Sequence, residues 1–185
     1  EASQKQVSFG VVRVANITPC VELTRYFLNT EWPEDVEVRT MAYHSQQILL
    51  MRSEQEKHLD EVLKRNGDLQ SVFQQPIIKS HLDNISAKQI IFILVATPVE
   101  EVGRDHDFDW AVVEPSSYRS LIQLAGRVLR HRDPVDDIAQ PNIALMQYNF
   151  KGLTGTTKPV FCRPGYETEN NLLGTHDLNS LVDTK

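Results

Sequence analysis

The chain has 185 residues, 41% of them apolar, with 19 Lys and Arg against 25 Asp and Glu for a net charge of -6. That length and apolar content suit one domain with a sizeable core. The acidic balance argues against wholesale electrostatic binding of nucleic acid, though a local basic groove is still allowed. No apolar run is long enough to span a bilayer, and the opening Glu1-Ala2-Ser3-Gln4 lacks the pattern of a signal peptide. Cys20 and Cys162 are the only cysteines, so neither a disulfide framework nor a paired-cysteine metal site is expected; both read as free thiols of a cytoplasmic protein.

In chain order, residues 7–15 form an apolar run that predicts a buried strand. Residues 18–28 follow as a helix, with Thr18 at the N-cap and Pro19 at the first helical position. A second strand is expected over 36–43. Residues 53–65 read as a charged amphipathic helix with Leu59, Val62 and Leu63 on one side; Ser53 and Glu56 make a capping box, and Gly67 is the stop. Residues 68–88 are poorly patterned and predict loop and short pieces. Residues 90–96 are β-branched and unalternating, as a central parallel strand should be. A strand over 110–113, a helix over 116–130 capped by Ser116 or Ser117, and a last strand over 142–148 complete the alternation. From Asn149 onward Gly, Thr, Pro and Asn take over, which predicts an extended tail or a linker to a further domain. Strand and helix in alternation predict an α/β fold: a parallel sheet with helices on both faces and ligands at the carboxyl ends of the strands.

Four constellations can carry chemistry. On a helix over 116–130, Gln123, Arg127 and Arg130 would share one flank. Arginine keeps its proton, and its planar fork matches phosphate oxygens, so this flank suits a nucleotide's terminal phosphates. The alternative is a solvated face whose arginines pair with Asp133 and Asp136. Second, the strand over 90–96 delivers Thr97, whose hydroxyl and neighbouring N–H groups suit a phosphate. Gly103 allows close backbone approach and Asp105 can accept from a ribose hydroxyl; a helix N-cap is the other reading of Thr97. Third, Asp105-His106-Asp107 suggests a metal phosphohydrolase, but His44, His58, His81, His131 and His176 supply no matching ligand spacing. His106 therefore reads as a packed turn residue, and no metal site is expected. Fourth, Asn16 and Tyr43-His44-Ser45 stand at strand ends, where short polar groups contact a nucleic-acid backbone or simply cap loops.

The order Thr-x5-Gly-x-Asp, then Gln-x2-Gly-Arg-x2-Arg, resembles motifs V and VI in the second RecA-like domain of superfamily 2 helicases. The stretch from Ala96 to Arg119 is similar to the CRISPR-associated helicase–nuclease of type I systems. Asp-His-Asp-Phe-Asp-Trp, Tyr43-His44-Ser45 and Phe161-Cys162-Arg163-Pro164-Gly165-Tyr166-Glu167 resemble its type I-F branch, in which the helicase is fused to an adaptation subunit. The resemblance implies a second RecA-like domain over 1–149 and a tail or linker over 150–185. It makes Arg127 and Arg130 the motif VI arginines, with Arg130 the finger and Gln123 beside the γ-phosphate. Gly103 and Asp105 fall on the ribose side, and Thr97, Asn16, His44 and Ser45 on the single-stranded DNA path. Pro98 stands where relatives often carry glutamine, and Gln46 where they often carry arginine.

No Gly-x4-Gly-Lys-Ser/Thr loop and no acidic box occur here. The resemblance therefore implies a piece of a longer prokaryotic cytoplasmic enzyme. Its ATP and Mg²⁺ would be held mostly by a first RecA-like domain, and its nuclease metal by another domain; this chain alone is expected to be inactive. The implied partners are single-stranded DNA, an RNA-guided surveillance complex, the protein's own other domains and CRISPR adaptation proteins, with no membrane. An RNA helicase half and a non-catalytic docking module are the competing readings.

Overall fold

A computed structural model of the chain describes residues 5–65, 68, 70–132, 141–154, 158–162 and 164–182. Among these residues five parallel strands form one sheet: β1 (Gln6–Arg13), β2 (Val36–Tyr43), β3 (Gln89–Ala96), β4 (Trp110–Val113) and β5 (Ile143–Leu145), in the order β2-β3-β1-β4-β5. The apolar run of β3 sits between β1 and β2, as its lack of alternation requires: both of its faces are covered. Val11 pairs with Leu94 on one side and Ala111 on the other. Gly10 is obligatory, because a Cβ there would stand 2.1 Å from the Trp110 ring.

Among the described residues there are seven α-helices: α1 (Ile17–Asn29), α2 (Leu49–Leu63), α3 (Ser71–Gln74), α4 (Pro76–Asn84), α5 (Tyr118–Ala125), α6 (Phe150–Leu153) and α7 (Leu178–Leu181). Cys20, Leu23 and Phe27 of α1 cover Val12, Ile93 and Val95 on one face. On the other, Leu59 and Val62 of α2, Ile78 of α4 and Leu121 and Leu124 of α5 pack on Phe9, Val11 and Leu94. The expected layering is therefore present, and the strands over 36–43 and 110–113 fall where expected.

Several boundaries move. Helix α1 begins at Ile17 with Asn16 in the N-cap position, not Thr18, and the Asn16 side chain makes no capping hydrogen bond. Helix α2 starts at Leu49, four residues before Ser53, so the capping box does not form. Leu49, Leu50 and Met51 are good helix formers that extend the helix although they lie exposed. Gly67 lies outside the described residues. The last strand is only Ile143–Leu145.

The most consequential change is at α5, which ends at Ala125 and not near Arg130. Ser117 caps its start, accepting from the Ser120 N–H. Gly126 closes its end, and the chain then lies alongside residues 107–109. Phe108 N–H donates to Arg127 O at 2.9 Å and Leu129 N–H donates to Phe108 O at 2.9 Å. These long-range bonds outweigh helix propensity, and Leu129 takes a left-handed φ of 53°.

Beyond residue 149 the described residues are irregular but do not run extended away from the sheet. Asn149 Nδ2 donates to Pro115 O at 2.8 Å, Phe150 N–H to a Glu114 carboxylate oxygen at 2.7 Å, and Leu178 N–H to Gln147 O at 2.9 Å. Val160, Phe161 and Leu178 are buried. The composition of this segment hid the apolar anchors within it.

Candidate functional site

His44 and Thr97 follow β2 and β3 directly and Asn16 follows β1 after Val14 and Ala15, so all three lie at the carboxyl edge of the sheet. Thr97 N–H donates to Tyr43 O at 3.0 Å, which sets Thr97 beside the start of the His44-Ser45 loop. Thr97 is buried, in the N-cap position of a short 3₁₀ turn (Pro98–Glu101), and its hydroxyl does not cap it. Asn16 and His44 are half-buried and Ser45 is exposed. His44 N–H donates to the Gln47 carboxamide at 3.0 Å, a local loop closure, and burial lowers the His44 pKa.

The arginines lie elsewhere, around the end of α5. The flank shared by Gln123, Arg127 and Arg130 does not exist as a helix face, because the helix stops between Gln123 and Arg127. Arg127 is buried, and its two Nη groups donate to Gln123 O at 2.8 Å and Glu101 O at 2.7 Å. It thereby ties the last turn of α5 to the 3₁₀ turn after Thr97. Burial lowers the Arg127 pKa, opposed first by the Glu100 carboxylate. Arg130 differs in kind: its side chain is 42% exposed, with Nε 2.8 Å from Asp105 Oδ1 and Nη1 only a loose 3.4 Å from Gly126 O. Its guanidinium therefore has donors to offer an anion. Asp133 and Asp136, the alternative partners, lie outside the described residues.

The acidic segment 105–109 is a row of counterions for the chain 130–132. Asp105 meets Arg130 and also His131, whose Nε2 lies at 3.1 Å. Asp107, fully buried, accepts from Arg130 N–H at 3.1 Å and lies 3.4 Å from Arg132 Nε. Asp109 pairs with Arg132 and with Arg65 Nη1 at 3.0 Å, and it accepts from Phe9 N–H at 2.6 Å. His106 is fully buried, its Nδ1 against Glu100 and its Nε2 3.1 Å from Asp60. Among the described residues no group of three or more His, Cys, Asp or Glu side chains could hold a metal ion. Gly103 has φ of 65° with open space around it, so the turn needs its backbone freedom and not its small size.

Several residues that hold this region together escaped the sequence reading. Arg13 is fully buried, 3.0 Å from a Glu101 carboxylate oxygen, and donates to Glu114 O at 2.7 Å and Ser120 Oγ at 3.2 Å. Burial lowers the Arg13 pKa and raises that of Glu101, with the Ser120 hydroxyl, then Arg13 and Arg127, opposing the shift at Glu101. The signal was present: a lone cation in the run Val11-Val12-Arg13-Val14-Ala15 needs a buried acid. Tyr43, Glu56 and Arg104 form a second cluster, with Tyr43 Oη donating to Glu56 at 2.7 Å and Arg104 Nη2 2.7 Å from the same carboxylate. Burial, then the Glu56 hydrogen bond, pushes the Tyr43 phenol up to about 12.

The family described as CRISPR-associated nuclease/helicase Cas3, C-terminal, matches this chain over residues 6–133. The chain belongs to that family. It is 44% identical to the CRISPR-associated nuclease/helicase Cas3 subtype I-F/YPEST of Pseudomonas aeruginosa, over 99% of this chain and 17% of that protein. It is 45% identical to the protein of the same description in Pectobacterium atrosepticum, over 98% and 16%. The chain thus spans only about a sixth of the length of these Cas3 relatives. The crystal structure of T. fusca Cas3-ATP shares the fold with a TM-score of 0.51 at 17% identity, covering 76% of this chain and 14% of that one. No helix of the described residues is long and apolar enough to cross a membrane. The Cas3 family match thus covers both the strand-end edge and the arginine loop.

Proposed function

We propose that residues 1–149 are the second motor domain of a full-length ATP-dependent, single-stranded DNA translocase coupled to DNA degradation in CRISPR interference. Residues 150–185 are its tail or a linker to a further domain. The observation that carries this reading is Arg130: a half-exposed guanidinium with free donor capacity, on a backbone fixed by Phe108 and Asp107, in a chain of the Cas3 family. Such a cation fits the charge on a γ-phosphoryl group presented by another domain. Arginine fingers raise rates by roughly 10³–10⁵ in related NTPases.

In this reading Asp105 is a competitor as well as a neighbour. It holds Arg130 through Nε and faces the nucleotide's ribose side with Gly103, so a nucleotide phosphate draws the guanidinium away from a half-exposed carboxylate at modest cost. Gln123 stands one turn back on α5. Arg127 supports the finger from below, its Nη groups already engaged by carbonyls. ATP and Mg²⁺ are held mainly by residues of a first RecA-like domain, and the nuclease metal by a separate one. Asn16, His44, Ser45 and Thr97 grip single-stranded DNA along the strand ends, through backbone contacts that are independent of sequence and sensitive to salt. The setting is the prokaryotic cytoplasm, with an RNA-guided surveillance complex and adaptation proteins as partners.

The test compares this chain with the full-length protein in DNA-stimulated ATP hydrolysis. The chain alone is expected to be inactive and the full-length protein active. Arg130-dependent turnover by the isolated chain would overturn the two-domain reading, and stimulation by RNA but not DNA would favour an RNA helicase.

A further inference from the structure

Three successive contacts lead the backbone into Arg130. Arg127 O accepts from Phe108 N–H, Leu129 N–H donates to Phe108 O, and Arg130 N–H donates to Asp107 Oδ1 at 3.1 Å. Between the last two, Leu129 holds a left-handed φ of 53°. A non-glycine residue keeps such a conformation only where its surroundings fix it. Leu129 packs partly against the core, and Val128 beside it is buried in that core. The backbone at Arg130 is therefore aimed by tertiary contacts and not by a helix.

Asp107 is the one side chain in this arrangement. It is fully buried, its own N–H donates to Leu63 O at 3.1 Å at the end of α2, and its second carboxylate oxygen lies 3.4 Å from Arg132 Nε. One oxygen thus reads the finger's backbone and the other a side chain two residues on. Asp107 is anchored from α2, so the direction in which Arg130 leaves the loop is referred to the body of the domain.

We propose that Asp107 is a positioning residue for Arg130: by accepting the Arg130 N–H it fixes the left-handed turn at Leu129 and the aim of the guanidinium. It touches no substrate. This rests on the reading of Arg130 as the finger. Misplacing a reacting group by about 1 Å costs up to about 10²-fold in rate, which sets the scale of the effect.

The experiment uses the full-length protein, with steady-state ATP hydrolysis on single-stranded DNA, DNA affinity and thermal unfolding measured together. Asp107→Ala removes the acceptor and is expected to lower kcat by about 10²-fold, with KM for ATP and DNA affinity within about twofold. Asp107→Asn keeps an acceptor oxygen and is expected to restore kcat to within about fivefold, since the role needs a lone pair and not a charge. Arg132→Gln removes the ion pair but leaves the Arg130 N–H contact, and is likewise expected to keep kcat. An Asp107→Ala enzyme that turns over normally would overturn the proposal. So would Asp107→Asn or Arg132→Gln losing as much kcat as Arg130→Ala, and these two variants decide the matter if Asp107→Ala does not fold. Normal turnover by Arg130→Ala would instead sink the finger reading, a separate outcome.

Discussion

Two irregular stretches of this molecule are organised by carboxylates in opposite ways. Around the arginine loop, Asp105, Asp107 and Asp109 face Arg130, Arg132 and Arg65, a row of charge pairs that runs from half-exposed at Asp105 to fully buried at Asp107. In the C-terminal segment one carboxylate, Glu167, accepts from the backbone N–H groups of Val160 at 2.8 Å, Phe161 at 2.6 Å and Leu173 at 2.8 Å, and from His176 Nε2 at 2.8 Å. A charge pair near the surface can trade its partner for a ligand anion. A buried carboxylate held by three backbone amides as well as an imidazole is not placed to make that trade. The first arrangement suits a part that must respond, the second a part that must stay put.

The largest test of that contrast is Arg130→Ala in the full-length protein. ATP hydrolysis is expected to fall by about 10³-fold or more while single-stranded DNA affinity persists, read from steady-state turnover and fluorescence anisotropy. Equal loss of both would mean that Arg130 belongs to the fold or to the DNA path.

Next comes Glu167→Ala. Burial pushes the Glu167 pKa up, but the Leu173 and Phe161 amides, His176 and the Val160 amide outweigh it and bring the carboxyl from 4.5 down to about 2. Its side chain is only 4% exposed, so that shift corresponds to about 3 kcal/mol. Because the folded pKa is the lower one, this stability is fully present above about pH 4.5 and is lost as pH falls toward 2. Hydrogen exchange at Val160, Phe161 and Leu173 should quicken by about 10²-fold in the variant at neutral pH. Unchanged protection would show that apolar packing of Val160 and Phe161 holds the segment.

Gly103→Ala sits on the responsive side. Its φ of 65° costs an L-residue about 1 kcal/mol, which should lower the thermal midpoint of the domain by a few degrees. The smallest effect is expected for Asp105→Asn. Both partners are more than two-fifths exposed, so the pair contributes under about 1 kcal/mol, and raising the salt concentration should erase most of the difference in unfolding from the unsubstituted protein. A large, salt-independent loss would place Asp105 with Glu167 as a fixed support.

The sheet was legible from the chain because a parallel strand buried on both faces writes a continuous apolar run, as residues 89–96 do. The order of Thr97, Gly103 and Asp105 before Gln123, Arg127 and Arg130 was legible too. Their arrangement was not. Gln123, Arg127 and Arg130 have helical spacing, and no local signal says that Arg127 O and Leu129 N–H will bond Phe108 instead of neighbours in a helix. Nor does spacing separate Arg127, buried on two carbonyls, from Arg130, half in water.

The sequence by itself determined the strand and helix alternation, the family and the residue types of the candidate site, because periodicity and motif order are written locally. Only the tertiary structure decided where α5 stops, which arginine keeps its donors free, and that Asp107 and Glu167 are organising acids. The first two and the place of Asp107 depend on contacts between residues far apart in the chain, and Glu167 on bonds within its own irregular segment, all made where burial leaves a polar group no water to turn to.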